Sequence, residues 1–163
     1  STLELALHND PDPAVRLQAL LSLSASAAQQ CGEAACTRLL DALATLRQRA
    51  DVVLVEGVGG FRVPLAEDYD SADLALDLGL PVILVVGLRL GCINHALLSV
   101  EAIERRGLVL AGWIGNHIDP HMLRPAQNID SLRTRIPAPL LGVLPWSPER
   151  DPAAHAHDLR LPD

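Results

Sequence analysis

A chain of 163 residues that is 49% hydrophobic but only 2% aromatic carries enough apolar material for one domain with a core of Leu, Val, Ile and Ala, in an α/β or all-α form. No apolar run is long enough to span a bilayer, and a formal net charge of −7 works against non-specific attachment to nucleic acid. All 13 basic side chains are Arg, so chemistry that needs an ammonium group at a phosphate is beyond these residues.

The three cysteines, Cys31, Cys36 and Cys92, match no zinc or disulfide spacing and read as free thiols of a reducing cytoplasm. The opening Ser1-Thr2-Leu3-Glu4 shows no basic segment ahead of an apolar one, hence no secretory signal, and its lack of an initiator Met hints at processing or truncation.

In chain order, Asp12 to Gly32 is expected as a helix: Asp12 caps, Pro13 takes the first position, and Val15, Leu17, Leu20, Leu21 and Leu23 form the stripe. Glu33 to Arg49 repeats the pattern with Leu39, Leu40, Leu43 and Leu46, and with Arg47 and Arg49 at the negative end of the helix dipole. The run Asp51-Val-Val-Leu-Val-Glu56-Gly57-Val58-Gly59-Gly60 reads as a buried parallel strand that ends on a carboxylate and a glycine turn. Glu56 is thereby a candidate to hold a hydrated Mg²⁺ or its bound phosphates, because ligands of open α/β sheets gather beyond the strands' carboxyl ends. The plainer alternative is a strand cap followed by turn glycines.

An acidic loop follows, and Asp70-Ser71-Ala72-Asp73 has the form of an N-terminal cap for a short helix reaching Gly79. The unbroken apolar run Val82 to Val86 predicts a strand in the middle of a parallel sheet. Gly87 to Asn94 reads as a glycine-flanked loop opening a helix from about His95 to Arg106, a start that exposes backbone amides to an anion or is simply an ordinary turn. Leu108 to Ile114 predicts a strand leading to Asn116, whose amide suits the edge of a base. Pro120 to Arg135 is weakly helical with an interruption at Pro125, Leu140 to Leu144 is a last strand, and Ser147 to Asp163 reads as an irregular surface tail. The alternation gives one domain, 1–163, with a doubly wound, mostly parallel α/β sheet whose rim carries Glu56, Arg89 to Asn94, Asn116, Pro145 and Trp146.

Several blocks resemble a known family in the same order. They are Val55-Glu56-Gly-Val-Gly-Gly60, Leu80-Pro-Val-Ile-Leu-Val-Val-Gly87, Leu90-Gly-Cys-Ile-Asn-His95, Ala111-Gly-Trp-Ile-Gly-Asn116, and Pro137-Ala-Pro-Leu-Leu-Gly142 followed by Pro145-Trp146. Residues 51–146 are similar to dethiobiotin synthetase, a homodimeric ATP-dependent cyclo-ligase of biotin biosynthesis and a relative of the P-loop NTPases; residues 1–50 match weakly and 147–163 form the tail. The resemblance implies a cytoplasmic enzyme that converts 7,8-diaminononanoate, CO₂ and ATP, with Mg²⁺, into dethiobiotin, ADP and phosphate, without nucleic-acid or membrane partners. It implies that Glu56 is a Mg²⁺ ligand beside Gly57, Val58 and Gly59 at the nucleotide phosphates, that Asn116 reads adenine with His117 adjacent, and that Pro145, Trp146 and Ser147 pack near the base. It further implies that Arg89, Leu90, Gly91, Cys92, Ile93 and Asn94 cross the dimer interface and receive the substrate carboxylate, Arg89 standing where Lys is frequent.

The family opens with a first strand and a Gly-rich loop ending in Gly-Lys-Thr, and nothing in Ser1 to Ala50 resembles it. Asp10, Asp12 and Asp41 are available acids, but none stands in a matching motif. The expectation is therefore a dethiobiotin synthetase without its phosphate-loop portion, inactive alone. The alternative is a noncatalytic, dimeric nucleotide- or ligand-binding module. A related amidotransferase or partition-type ATPase explains the Gly-Cys-Ile-Asn-His and Pro-Ala-Pro-Leu-Leu-Gly blocks poorly. A metal site from His117, His121, His155 and His157 has no recognised spacing, and Cys92 has no evident base to make it a nucleophile.

Overall fold

In the computed structural model of the chain, residues 4–8, 18–22, 33–57, 59–148 and 153–162 are described, and the chain divides into two units, Ser1–Leu78 and Gly79–Asp163. In the first unit, β1 (Glu4–His8) pairs antiparallel with β2 (Gln18–Ser22), which pairs in parallel with β3 (Val52–Glu56). The strand at Gln18–Ser22 overturns a helix over Asp12 to Gly32. Its five residues are too few to separate a period of 2 from one of 3.6, and pairing along both edges decides the outcome. Asp12, Pro13, Val15, Leu17, Leu23, Cys31 and Gly32 lie outside the described residues.

The helix α1 (Glu33–Arg47) forms as its spacing predicts, with Leu43 and Leu46, one turn apart, 3% and 2% exposed. Leu46 joins Leu65 and Leu74 in a small core against which Val53 and Val55 pack. The other face of β3 corrects the expectation of a strand buried on both sides: Val52 and Leu54 are 38% and 44% exposed. A covering layer on one face only produces this alternation, and four apolar residues in a row do not reveal how many faces will be covered.

What reads as an acidic loop contains a hairpin, β4 (Pro64–Ala66) with β5 (Tyr69–Asp70), joined through Glu67 and Asp68. It delivers Asp70 to the start of α2 (Ser71–Leu78), where Asp70 Oδ1 accepts the N–H groups of Ala72 and Asp73 at 2.8 and 3.0 Å. Asp73 Oδ2 accepts the Asp70 N–H at 2.8 Å, completing the reciprocal cap that the sequence announces. Gly79, at φ +61°, follows the helix in the left-handed conformation that ends it.

The second unit is built on three parallel strands in the order β6 (Val82–Leu88), β7 (Leu110–His117), β8 (Leu140–Leu144), connected by α3 (Cys92–Arg105) and α4 (Pro125–Arg133). Trp113 on the central strand is fully buried among Val86, Leu88, Cys92, Val100 and Leu132. Within the second unit and among the described residues, β6 stands at the edge of the sheet and not in the mid-sheet place that its apolar run suggests. Among the described residues it pairs with β7 alone, and Val85 is 56% exposed. An apolar run reports affinity for a sheet, whereas a strand's rank in the sheet depends on what pairs along its second edge.

Pro125 opens α4 rather than interrupting it, a placement its missing N–H and fixed φ favour, and Arg124 precedes it at φ +56°. The tail is also more ordered than its composition suggests. Ala153–Asp158 forms a 3-10 helix, and Leu159 makes an antiparallel bridge to Gly142.

Candidate functional site

Glu56 ends β3, paired with Ser22 of β2 and on the same face as Val52 and Leu54, so it lies on the face turned away from the Leu46–Leu65–Leu74 core and is exposed. Gly57 follows it, Gly59 and Gly60 have φ of +91° and +120°, and Val58 lies outside the described residues. A glycine turn with positive φ at two positions lets the backbone leave the strand sharply. A lone exposed carboxylate can give a hard cation one oxygen ligand, the others coming from water and phosphate. Among the described residues no group of three or more His, Cys, Asp or Glu side chains could hold a metal. Asp41 is an exposed residue of α1, and Asp10 and Asp12 lie outside the described residues.

In the second unit the strand register sets the ends of the three strands level. Gly87 pairs with Asn116, and Asn116 with Leu144, so the segments that follow the three strands leave from one edge of the sheet. After β6 come exposed Arg89 and Leu90, then Gly91 at φ +91°, which caps α3 without a side-chain hydrogen bond. The helix begins at Cys92, earlier than the His95 start expected, and its first i to i−4 bond runs from His95 N–H to Gly91 C=O at 3.1 Å. Ile93 and Asn94 therefore present first-turn amides rather than loop amides. Cys92 turns inward: its N–H donates to Arg89 C=O at 3.0 Å, its side chain is 3% exposed, and its Sγ lies 3.9 Å from Asn128 Oδ1. A cleft of 260 Å³ opens between β6 and α3, with Leu84, Val86, Arg89, His95, Ser99 and Ile118 among its lining residues.

Asn116 and His117 are half-buried at the end of β7. Beyond β8, Pro145 is exposed, Trp146 is 47% exposed and Ser147 is half-buried. The four histidines weighed as a metal site are not brought together as one. His121 lies in a turn where its N–H donates to Asp119 Oδ1 at 2.9 Å, while His155 Nδ1 and His157 Nε2 lie 3.2 and 3.4 Å from the carboxylate of Asp158.

Three glycines of the second unit matter in ways that sequence reasoning missed. A Cβ on Gly112 would meet Leu141 at 2.6 Å, one on Gly87 would meet Ile118 at 2.7 Å, and one on Gly142 would meet the backbone oxygen of Asp158 at 2.1 Å. They let β8, the chain beyond β7 and the tail approach the strands closely. Their presence within the recognised blocks is the available signal, but the residues they touch are distant in sequence. Trp113 Nε1, buried without a hydrogen-bond partner among the described residues, was likewise not foreseen.

A family model described as "AAA domain" matches residues 2–154. An ATP-dependent dethiobiotin synthetase BioD of Aromatoleum aromaticum is 63% identical over 84% of this chain and 61% of its own length. The protein of the same name from Ralstonia nicotianae is 59% identical over 69% of the chain and 49% of its own length. That from Xanthomonas axonopodis pv. citri is 47% identical over 98% of the chain and 73% of its own length. The chain thus spans about half to three quarters of the length of these curated relatives. With its parallel α/β sheet and the full-chain match to the Xanthomonas protein, the chain belongs to the ATP-dependent dethiobiotin synthetase family, within the P-loop NTPase class of α/β folds.

Proposed function

We propose that this chain supplies the base-reading and anion-binding part of a dethiobiotin synthetase. The whole reaction is the ATP- and Mg²⁺-dependent carboxylation and ring closure of 7,8-diaminononanoate with CO₂, carried out by a cytoplasmic homodimer. One observation carries the reading: the register of Gly87, Asn116 and Leu144 on adjacent parallel strands sends the Arg89–Asn94 segment, the Asn116–His117 pair and the Pro145–Ser147 turn from one edge of the sheet.

On this reading the Asn116 carboxamide donates and accepts at the edge of adenine, and Pro145, Trp146 and Ser147 pack beside the ring. The open start of α3, reached through Gly91, receives the substrate carboxylate, and Arg89 adds a fixed positive charge with forked donors. The chemistry of Glu56 fits a hard cation; Mg²⁺, when bound, supplies neutralisation of phosphate charge. No side chain acts as a nucleophile. One substrate amine adds to CO₂ to give a carbamate, the carbamate oxygen takes the γ-phosphoryl group of ATP with release of ADP, and the second amine closes the ring with loss of phosphate. The protein orients these groups and stabilises charge.

The lysine-bearing phosphate loop is not among the 163 residues, so the purified chain, given ATP, Mg²⁺, bicarbonate and the diamine, is expected to form no ADP above a protein-free blank. Ring closure by the chain alone would overturn this assignment of parts. The lack of any Lys also favours a second reading, a noncatalytic dimeric binding module. The two differ when a polypeptide bearing the Gly-rich, Lys-Thr loop is supplied in trans: recovery of dethiobiotin formation supports the enzyme, and nucleotide binding without turnover supports the module.

A further inference from the structure

β8 lies at the outer edge of its parallel sheet, and a strand edge left open offers unpaired backbone groups to other chains. Here the chain's own tail reaches that edge. Leu159 forms an antiparallel bridge with Gly142, and the Arg160 N–H donates to Leu141 C=O at 2.8 Å. The turn leading into this contact is braced internally, with the Asp158 carboxylate between His155 Nδ1 at 3.2 Å and His157 Nε2 at 3.4 Å. The bridge depends on Gly142 lacking a side chain. A Cβ there would lie 2.1 Å from Asp158 O and 3.0 Å from Asp158 C, and backbone atoms, unlike the end of a flexible side chain, cannot rotate out of the way.

We propose that Ala153–Arg160 is a latch that closes on β8 and fixes the Pro145–Ser147 turn, with Gly142 as the positioning residue that admits it. The proposal rests on the reading of that turn as part of the nucleotide site. The chain leaves the sheet at Leu144 and is held again at Leu159 and Arg160, so the stretch between, which begins with Pro145–Ser147, is anchored to β8 at both ends. A turn already restrained has less freedom to lose when a base packs on it.

The two tryptophans make the latch observable without ligand. Trp113 is 0% exposed and shielded from acrylamide, whereas Trp146 is 47% exposed, so collisional quenching of fluorescence reports on the turn. Gly142→Ala should raise the accessible quenching slope about twofold and deprotect the Arg160 amide in hydrogen exchange, with Trp113 still shielded. A chain ending at Asp158 removes the bridge without adding volume to β8 and should raise the slope equally. In both, the ADP dissociation constant should rise about three- to tenfold, reflecting a turn that must be ordered on binding. An unchanged slope in the shortened chain, or an Arg160 amide that stays protected in Gly142→Ala, overturns the latch. If Gly142→Ala exposes Trp113 to the quencher, the substitution has unfolded the unit and the shortened chain decides. If the parent chain fails to bind ADP, the nucleotide reading of the turn falls, and the ligand-free quenching result still decides the latch.

Discussion

Replacing Gly112 by Ala puts the packing of β7 against β8 under direct strain. The new Cβ would lie 2.6 Å from Leu141 Cγ and 2.8 Å from each of its methyl carbons. Leu141 is only 5% exposed, so its side chain cannot swing into solvent. The same substitution at Gly87 brings Cβ to 2.7 Å from Ile118 Cδ1, but that side chain is 47% exposed and can swing into solvent. Overpacking a filled interior costs about 1–3 kcal/mol, and an adjustable surface rotamer about 0.5–1.5 kcal/mol. Each Ala also restricts the unfolded chain, recovering about 0.4–1 kcal/mol in either variant. The net difference favours Gly87→Ala by about 1 kcal/mol, which at a slope of about 1–3 kcal/mol per molar urea separates the midpoints by roughly 0.3–1 M. Urea titration followed by the fluorescence of buried Trp113 reads the second unit directly. Equal midpoints, or a greater loss in Gly87→Ala, would refute the claim that Leu141 is immobile and Ile118 is not.

Asp70→Ala removes the acceptor for two amides at the start of α2 and should cost about 1 kcal/mol, seen as roughly fivefold faster exchange of the Ala72 and Asp73 amides; Asp70→Asn should retain most of the protection. The ion pair between Arg62 and Asp70 adds less than about 1 kcal/mol because the Arg62 side chain is 60% exposed, so equal exchange in the Ala and Asn variants would show that charge rather than capping holds the helix start. Glu56→Gln, at an exposed strand end, should leave the melting temperature unchanged while removing the gain in ADP affinity that Mg²⁺ confers. The measurement is paired calorimetric titration with and without Mg²⁺, and an undiminished gain would remove Glu56 from the metal site.

The readings that held depend on neighbours within a few residues. The Asp70–Asp73 cap, the helix from Glu33 and the strand at Leu140–Leu144 all follow from short-range pattern and side-chain chemistry. Those that failed depend on partners distant in sequence. Gln18–Ser22 becomes a strand because β1 and β3 flank it, β6 pairs with β7 alone among the described residues, and the Pro- and His-rich tail orders because it meets Gly142. Pro125 is ambiguous for a different reason: the same missing N–H that breaks a helix interior suits a helix start, and only the position of the first turn distinguishes them. For the candidate site, the identities of Asn116 and Glu56 are plain in the sequence. That Asn116 stands level with Gly87 and Leu144 is a property of register, which a single sequence does not display.

Ser71 also has a consequence for the order in which the first unit forms. Its N–H donates to Val63 C=O at 2.9 Å, its hydroxyl accepts the Val63 N–H at 2.8 Å, and the same hydroxyl donates to Phe61 C=O at 2.7 Å. All these partners, with the hairpin and the helix cap, fall between Phe61 and Asp73. A loop of about ten residues closes in roughly 10–100 ns, far sooner than a parallel pairing across thirty or more intervening residues can be found. Residues 61–73 thus have the makings of a folding nucleus, a preformed clasp onto which Leu46, Val53 and Val55 condense afterwards.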